Sequence, residues 1–217
     1  ADASCYPPWA DEASSVTLMA TIASNGNLAT YCTGALLNRG PEDLSPLVMT
    51  ANHCVGGNGG QAQANNTVFV WFFDTPTCNG TPPNPNFLPR SNGSLLLKRH
   101  TPTDWNLLGL NQPPAANWYL GWSSGYWEDD EPSYGIHHPG GTFKRMSFGI
   151  KTDETENTFC DANGQNCFDA EVWEIANFSG FTMPGSSGSP ILDSSDRVRH
   201  AYRWGQFRLH GCAIRTI

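Results

Sequence analysis

The chain's 217 residues suit one domain or two small ones and suffice to bury a sizeable core. Only 15% are charged, while 22 Gly and 16 Pro disfavour long amphipathic helices, and the longest strongly apolar run, Val68 to Phe73, is far too short to span a bilayer. A net charge of −8 argues against a nucleic-acid surface, which needs clustered Lys and Arg, so neither nucleic acid nor membrane is an expected partner.

The opening ADASCYPP lacks a charged-then-apolar leader, which gives the expectation of a mature, soluble protein. Short stretches of mainly period-two patterning then recur: Val16 to Ile22, Tyr31 to Leu37, Leu47 to Thr50, Val68 to Phe73, Leu95 to Lys98, Tyr134 to Ile136, Phe143 to Ile150 and Phe168 to Ile175. Among them stand Asn25-Gly26, Asn58-Gly59, Asn79-Gly80, Asn92-Gly93 and Asn163-Gly164, dipeptides that tolerate positive φ and suit tight hairpins. The pattern predicts an all-β fold, antiparallel, as barrel or sandwich, with no helix of useful length. Asn111 to Asn117 contains Pro113-Pro114, which cannot join a sheet ladder, and divides the chain into 1–112 and 113–217. The seven Cys lack paired CxxC spacings and read mostly as disulfides formed in an oxidising compartment, with one left over.

Three segments carry chemistry. In Thr182 to Leu192, small residues crowd around a serine before an apolar strand, a turn that can aim backbone N–H groups at a developing oxyanion. In Leu47 to Val55, His53 ends an apolar strand and precedes Cys54, a cysteine that can lock it in place with Cys32 as one available partner. In Thr103 to Leu108, Asp104 stands just before another apolar strand. Each alone reads as turn or structural chemistry; together they place a base, a carboxylate and a nucleophile in the order His53, Asp104, Ser187.

Thr50-Ala51-Asn52-His53-Cys54, Asp104-Trp105-Asn106-Leu107-Leu108 and Gly185-Ser186-Ser187-Gly188-Ser189-Pro190 resemble the three signatures of trypsin-like serine proteases. Cys32 to Asn38, Gly135-Ile136-His137-His138-Pro139 and Pro184 to Pro190 look like the bacterial lysyl endopeptidase branch, the likeness covering about residues 5 to 196. The resemblance implies two six-stranded β-barrels, with His53 and Asp104 in the first and Ser187 in the second. It implies catalysis by those three residues, an oxyanion hole from the N–H groups of Gly185 and Ser187, and a Cys5 to Cys78 disulfide beside Cys32 to Cys54. Cys160 and Cys167 would close a short loop. The implied protein is a secreted, monomeric endopeptidase acting on polypeptides, without metal or cofactor. The Glu128 to Glu131 run reads as a solvated loop, and His137-His138 as structural in preference to lining the cleft.

Departures from the pattern are as informative. Trypsin has an acid directly before the nucleophile, where Ser186 stands, and a pocket acid six residues before it, where Phe181 stands. Lysyl endopeptidases draw the pocket acid from a segment after the serine, yet no acid follows Asp196. Residues 1 to 196 hold 7 basic and 20 acidic side chains, whereas 197 to 217 hold five Arg and no acid. Trp is encoded by TGG alone, so Trp204-Gly205 read one nucleotide later must yield a glycine codon. The shifted frame permits a Leu-Thr-Gly-Gly followed by a Cys, as the family has. The stretch from 198 to 217 is therefore read as the product of a frame slip, leaving the second barrel incomplete and turnover by the chain as written weak.

Overall fold

The computed structural model describes residues 1–40, 42–55, 60–159 and 168–201. The first half forms strands β1 (Val16–Ile22), β2 (Leu28–Leu37), β3 (Leu47–Ala51), β4 (Val68–Val70), β5 (Arg90–Asn92), β6 (Ser94–His100) and β7 (Trp105–Leu110). The second contributes β8 (Pro132–His137), β9 (Arg145–Phe159), β10 (Phe168–Ser179), β11 (Pro190–Asp193) and β12 (Val198–Ala201). All named strand pairs are antiparallel, in sheets ordered β5-β4-β1-β2-β3-β7-β6 and β10-β9-β8-β11-β12.

The first sheet reaches seven strands because one strand serves both edges. β5 pairs with β4 and β6 with β7, and the two are separated only by Gly93. Gly93 sits at φ +70, a left-handed conformation open to glycine at little cost. Its N–H donates to Thr67 O at 2.8 Å and its carbonyl accepts from Asn111 N at 3.1 Å. Counted as one bent strand, 90–100 gives the six expected, and Asn92-Gly93 is a corner rather than a hairpin. Asn25-Gly26 does join the antiparallel pair β1 and β2, while Asn58-Gly59 and Asn163-Gly164 fall outside the described residues. The second sheet has five strands among the described residues. Val198 to Ala201, set apart in the sequence, runs as β12 alongside β11.

Both faces of β1 are buried, which explains its apolar run: Leu18 and Ala20 pack with Val68, Val70 and Phe73, while Met19 packs with Leu36, Val48, Phe69, Trp71 and Leu108. A third cluster joins the two sheets, with Val16, Ala35 and Leu37 from the first against Tyr134, Ile136, Met146, Leu192 and Val198 from the second. The connecting segment is pinned to both sheets, Leu120 N donating to Leu36 O and Val198 N to Gly121 O. Helices among the described residues are short; Ala10–Ser14, Asn52–Val55 and Gly60–Asn66 are their α-helical pieces, none of them evident from periodicity.

Disulfides join Cys5 to Cys78 and Cys32 to Cys54. With separations of 73 and 22 residues, loop closure in the unfolded chain makes them worth about 4 and 3 kcal/mol respectively. Cys160, Cys167 and Cys212 lie outside the described residues.

Candidate active site

Strand register brings the first two residues together. β3 pairs with β7 so that Thr50 faces Asn106 and Ala51 faces Trp105. The next residue on each chain then meets its opposite: Asn52 N donates to the carbonyl of Asp104 at 2.9 Å. Asp104 adopts φ +52, a conformation Asp tolerates better than most residues, and its N–H is held by Thr101 O. The backbone then turns into the helix Asn52–Val55, where His53 N donates to Asp104 Oδ1 at 2.9 Å. His53 Nδ1 lies 2.7 Å from Asp104 Oδ2. A carboxylate only accepts, so Nδ1 carries the proton and the lone pair sits on Nε2. Asp104 is buried at 4% exposure, whereas the His53 side chain is 37% exposed, so the imidazole presents its free edge to solvent.

Ser187 arrives from the second sheet, on the loop between β10 and β11. Its carbonyl accepts from Thr33 N at 2.8 Å. Thr33 follows Cys32, Cys32 is bonded to Cys54, and Cys54 follows His53, so two residues and one disulfide connect the serine's anchor to the histidine. Gly188 makes the approach possible: a Cβ there would lie 2.1 Å from Thr50 Oγ1 and 2.3 Å from Thr33 O, and φ is +84. Thr33 also fixes the preceding turn, its Oγ1 donating to Gly185 O at 2.7 Å and accepting from His138 N at 3.1 Å. Gly140 N donates to Pro184 O at 2.6 Å. Gly185, Ser186, Ser187 and Ser189 are all buried. Cys32, His53 and Cys54 place ligand-type atoms close together, but both sulfurs are committed to the disulfide and cannot bind a metal.

His137, the last residue of β8, and His138, which follows it, are buried at 1% and 0% exposure. His138 stacks on Phe73 and donates Nδ1–H to Thr142 O at 2.9 Å. His137 Nδ1 lies 2.7 Å from Ser186 Oγ. That contact, and the anchoring of the loop by Thr33, escape sequence reasoning, because nothing local in a strand threonine or a His-His pair reveals a partner more than forty residues away. Phe181 is exposed beside the loop, and Asp129 of the acidic run pairs with the buried Lys151 at 2.5 Å.

A family model described as the lysyl endopeptidase C-terminal domain matches residues 1–208. The chain belongs to that family. The match extends to residue 208, beyond the stretch of about 5 to 196 over which the motifs resemble the family. Lysyl endopeptidase of Pseudomonas aeruginosa is 29% identical over 201 residues, which cover 91% of this chain and 41% of that protein. The chain thus spans about two fifths of this curated relative. Among solved structures, the Mycobacterium tuberculosis Rv3671c protease in its active form aligns with a TM-score of 0.60 at 18% identity, covering 90% of this chain and 72% of that one. Deg5 aligns with a TM-score of 0.56 at 13% identity, covering 88% and 79%. These likenesses show the fold, that of trypsin-like serine proteases. In this lysyl endopeptidase domain the two sheets therefore correspond to the two half-barrels of that fold, with His53 and Asp104 on one and Ser187 on the other.

Proposed function

We propose that the domain is a secreted serine endopeptidase whose catalytic residues are Ser187, His53 and Asp104. The observation that carries this reading is the 2.7 Å His53 Nδ1 to Asp104 Oδ2 contact, with the Ser187 peptide fastened to Thr33 beside the Cys32–Cys54 bridge. Ser187 Oγ adds to the scissile carbonyl carbon while His53 Nε2 takes its proton. The N–H groups of Gly185 and Ser187 hold the oxyanion, and Asp104 orients the imidazole and stabilises its charged form. Collapse breaks the C–N bond as His53 returns the proton to the leaving amine. Water, deprotonated by His53, then attacks the acyl ester and frees Ser187.

A preference for lysine rests on family membership. Phe181 occupies the position of trypsin's pocket acid, and residues 197 to 217 hold five Arg and no acid. The basic stretch 197 to 217 favours a second reading, a trypsin-fold domain that binds polypeptides with impaired turnover. Two disulfides joining segments far apart in sequence fit an oxidising, extracellular setting. Digestion of an unfolded protein followed by mass mapping of the new C-termini separates these readings. Cleavage lost in Ser187→Ala establishes the endopeptidase, and lysine at the new termini establishes the preference. Uncleaved substrate retained by the protein establishes the binding reading.

A further inference from the structure

Directly before Ser187 lies a buried polar pair that the mechanism above does not use. Ser186 and His137 are 0% and 1% exposed, and Ser186 Oγ is 2.7 Å from His137 Nδ1. The same Oγ accepts from Met183 N at 3.2 Å, while Ser186 N donates to Met183 O at 2.9 Å. Met183 N–H takes one of the hydroxyl's two lone pairs, so Ser186 Oγ can donate to His137 Nδ1 or accept from it, according to the tautomer of the ring. The other ring nitrogen, Nε2, is buried with no hydrogen-bond partner among the described residues. Burial first, then the positive charges of the Ala1 amino group and Arg145, push the His137 pKa down to about 3, so the ring is neutral at ordinary pH.

An apolar pair of the same shape would fill this space without stranding Nε2, and such replacements are often neutral or stabilising. What the polar pair supplies is direction, since a hydrogen bond fixes the rotation of the 183–186 turn and shape alone does not. The elements it connects matter. His137 ends β8, and the next residue's N–H meets Thr33 Oγ1, the hydroxyl that holds Gly185 O.

We infer that Ser186 and His137 form an uncharged latch that sets the turn bearing Gly185 and Ser187, and that both are positioning residues for acyl transfer. This rests on the serine endopeptidase reading. The test uses the full chain and an aryl phosphonate, comparing the limiting rate of Ser187 phosphonylation (kinact) with the half-saturating concentration (KI). Ser186→Ala and His137→Leu are expected to lower kinact on the order of 10- to 100-fold with KI within about twofold. His137→Asn, whose amide can occupy the place of Nδ1, is expected to recover most of the rate. An unchanged kinact in Ser186→Ala overturns the latch, as does an equal loss in His137→Asn and His137→Leu. A wild-type chain that the phosphonate does not label defeats the endopeptidase reading instead. The latch is then decided by amide hydrogen exchange across residues 183–188. Ser186→Ala should speed it at least about tenfold with β1 unaffected, and unaltered exchange overturns it.

Discussion

Asp104 does two jobs with two oxygens: Oδ1 holds the His53 backbone and Oδ2 holds its ring. Asp104→Asn should separate them, because an amide can keep the geometry while offering Nδ2–H to the ring and reversing the tautomer. We expect phosphonylation of Ser187 to slow on the order of 10⁴-fold with the circular dichroism spectrum unchanged. A loss of less than tenfold would contradict the assigned role. His137 and His138 give a second prediction at this scale. Burial depresses both, His137 to about 3 and His138 well below the ordinary range, so the unfolded chain takes up protons near pH 6.5 that the folded chain refuses. Between those pH values the unfolded state binds more protons. Stability is therefore full above about pH 6.5 and is lost as pH falls towards 3, by up to about 1.4 kcal/mol per pH unit for each histidine. Urea midpoints measured from pH 7 to pH 4 check this, and His137→Leu should flatten the decline.

Strands were legible where one face or both are apolar, and turns where glycine is local. Val16–Ile22 is β1 residue for residue, because alternation and continuous burial agree there. β5 and β12 were not legible: three or four residues such as Arg90-Ser91-Asn92 carry no period, and their pairing is dictated by neighbours distant in sequence. Asn79-Gly80 misleads for a related reason. Asn79 takes φ +56, but the turn serves the Cys78 loop, where Asn79 N donates to buried Asp2 Oδ2, and joins no hairpin. For the candidate site, resemblance to the family's motifs singled out His53, Asp104 and Ser187, whereas the register that sets Asn52 opposite Asp104 belongs to the β3–β7 pair and appears only in three dimensions. Gly188 is where element packing meets chemistry. Gly188→Ala puts a methyl into Thr50 and Thr33 O at positive φ, and should destabilise the fold by about 2–4 kcal/mol while slowing phosphonylation. Chemical denaturation and labelling of this variant give both numbers, and wild-type values in either would mean that the loop approaches β2 and β3 less closely.

At the scale of the molecule, the two sheets meet through the cluster of Val16, Leu37, Ile136, Met146 and Leu192, and the first strengthens its hold through buried charge. Lys144, fully buried just before β9, pairs with Asp74 at 3.1 Å and donates to Ala13 O at 2.6 Å, tying the second sheet to two segments of the first half. Removing one partner of such a pair is costly because the other charge remains behind. This arrangement leaves the candidate site at the seam, with His53 and Asp104 from one side and Ser187 from the other, so the site forms only when both sheets are in place. On the substrate side, Phe181 stands where trypsin has its pocket acid, and residues 197 to 217 hold five Arg and no acid. Nucleophile activation and substrate selection are therefore separable, and the first can be tested without the second. The measurement is labelling of the full chain by an aryl phosphonate, with the modified residue located by mass spectrometry. The account predicts one adduct, on Ser187, lost in His53→Ala. No adduct, or one that survives without His53, would contradict it.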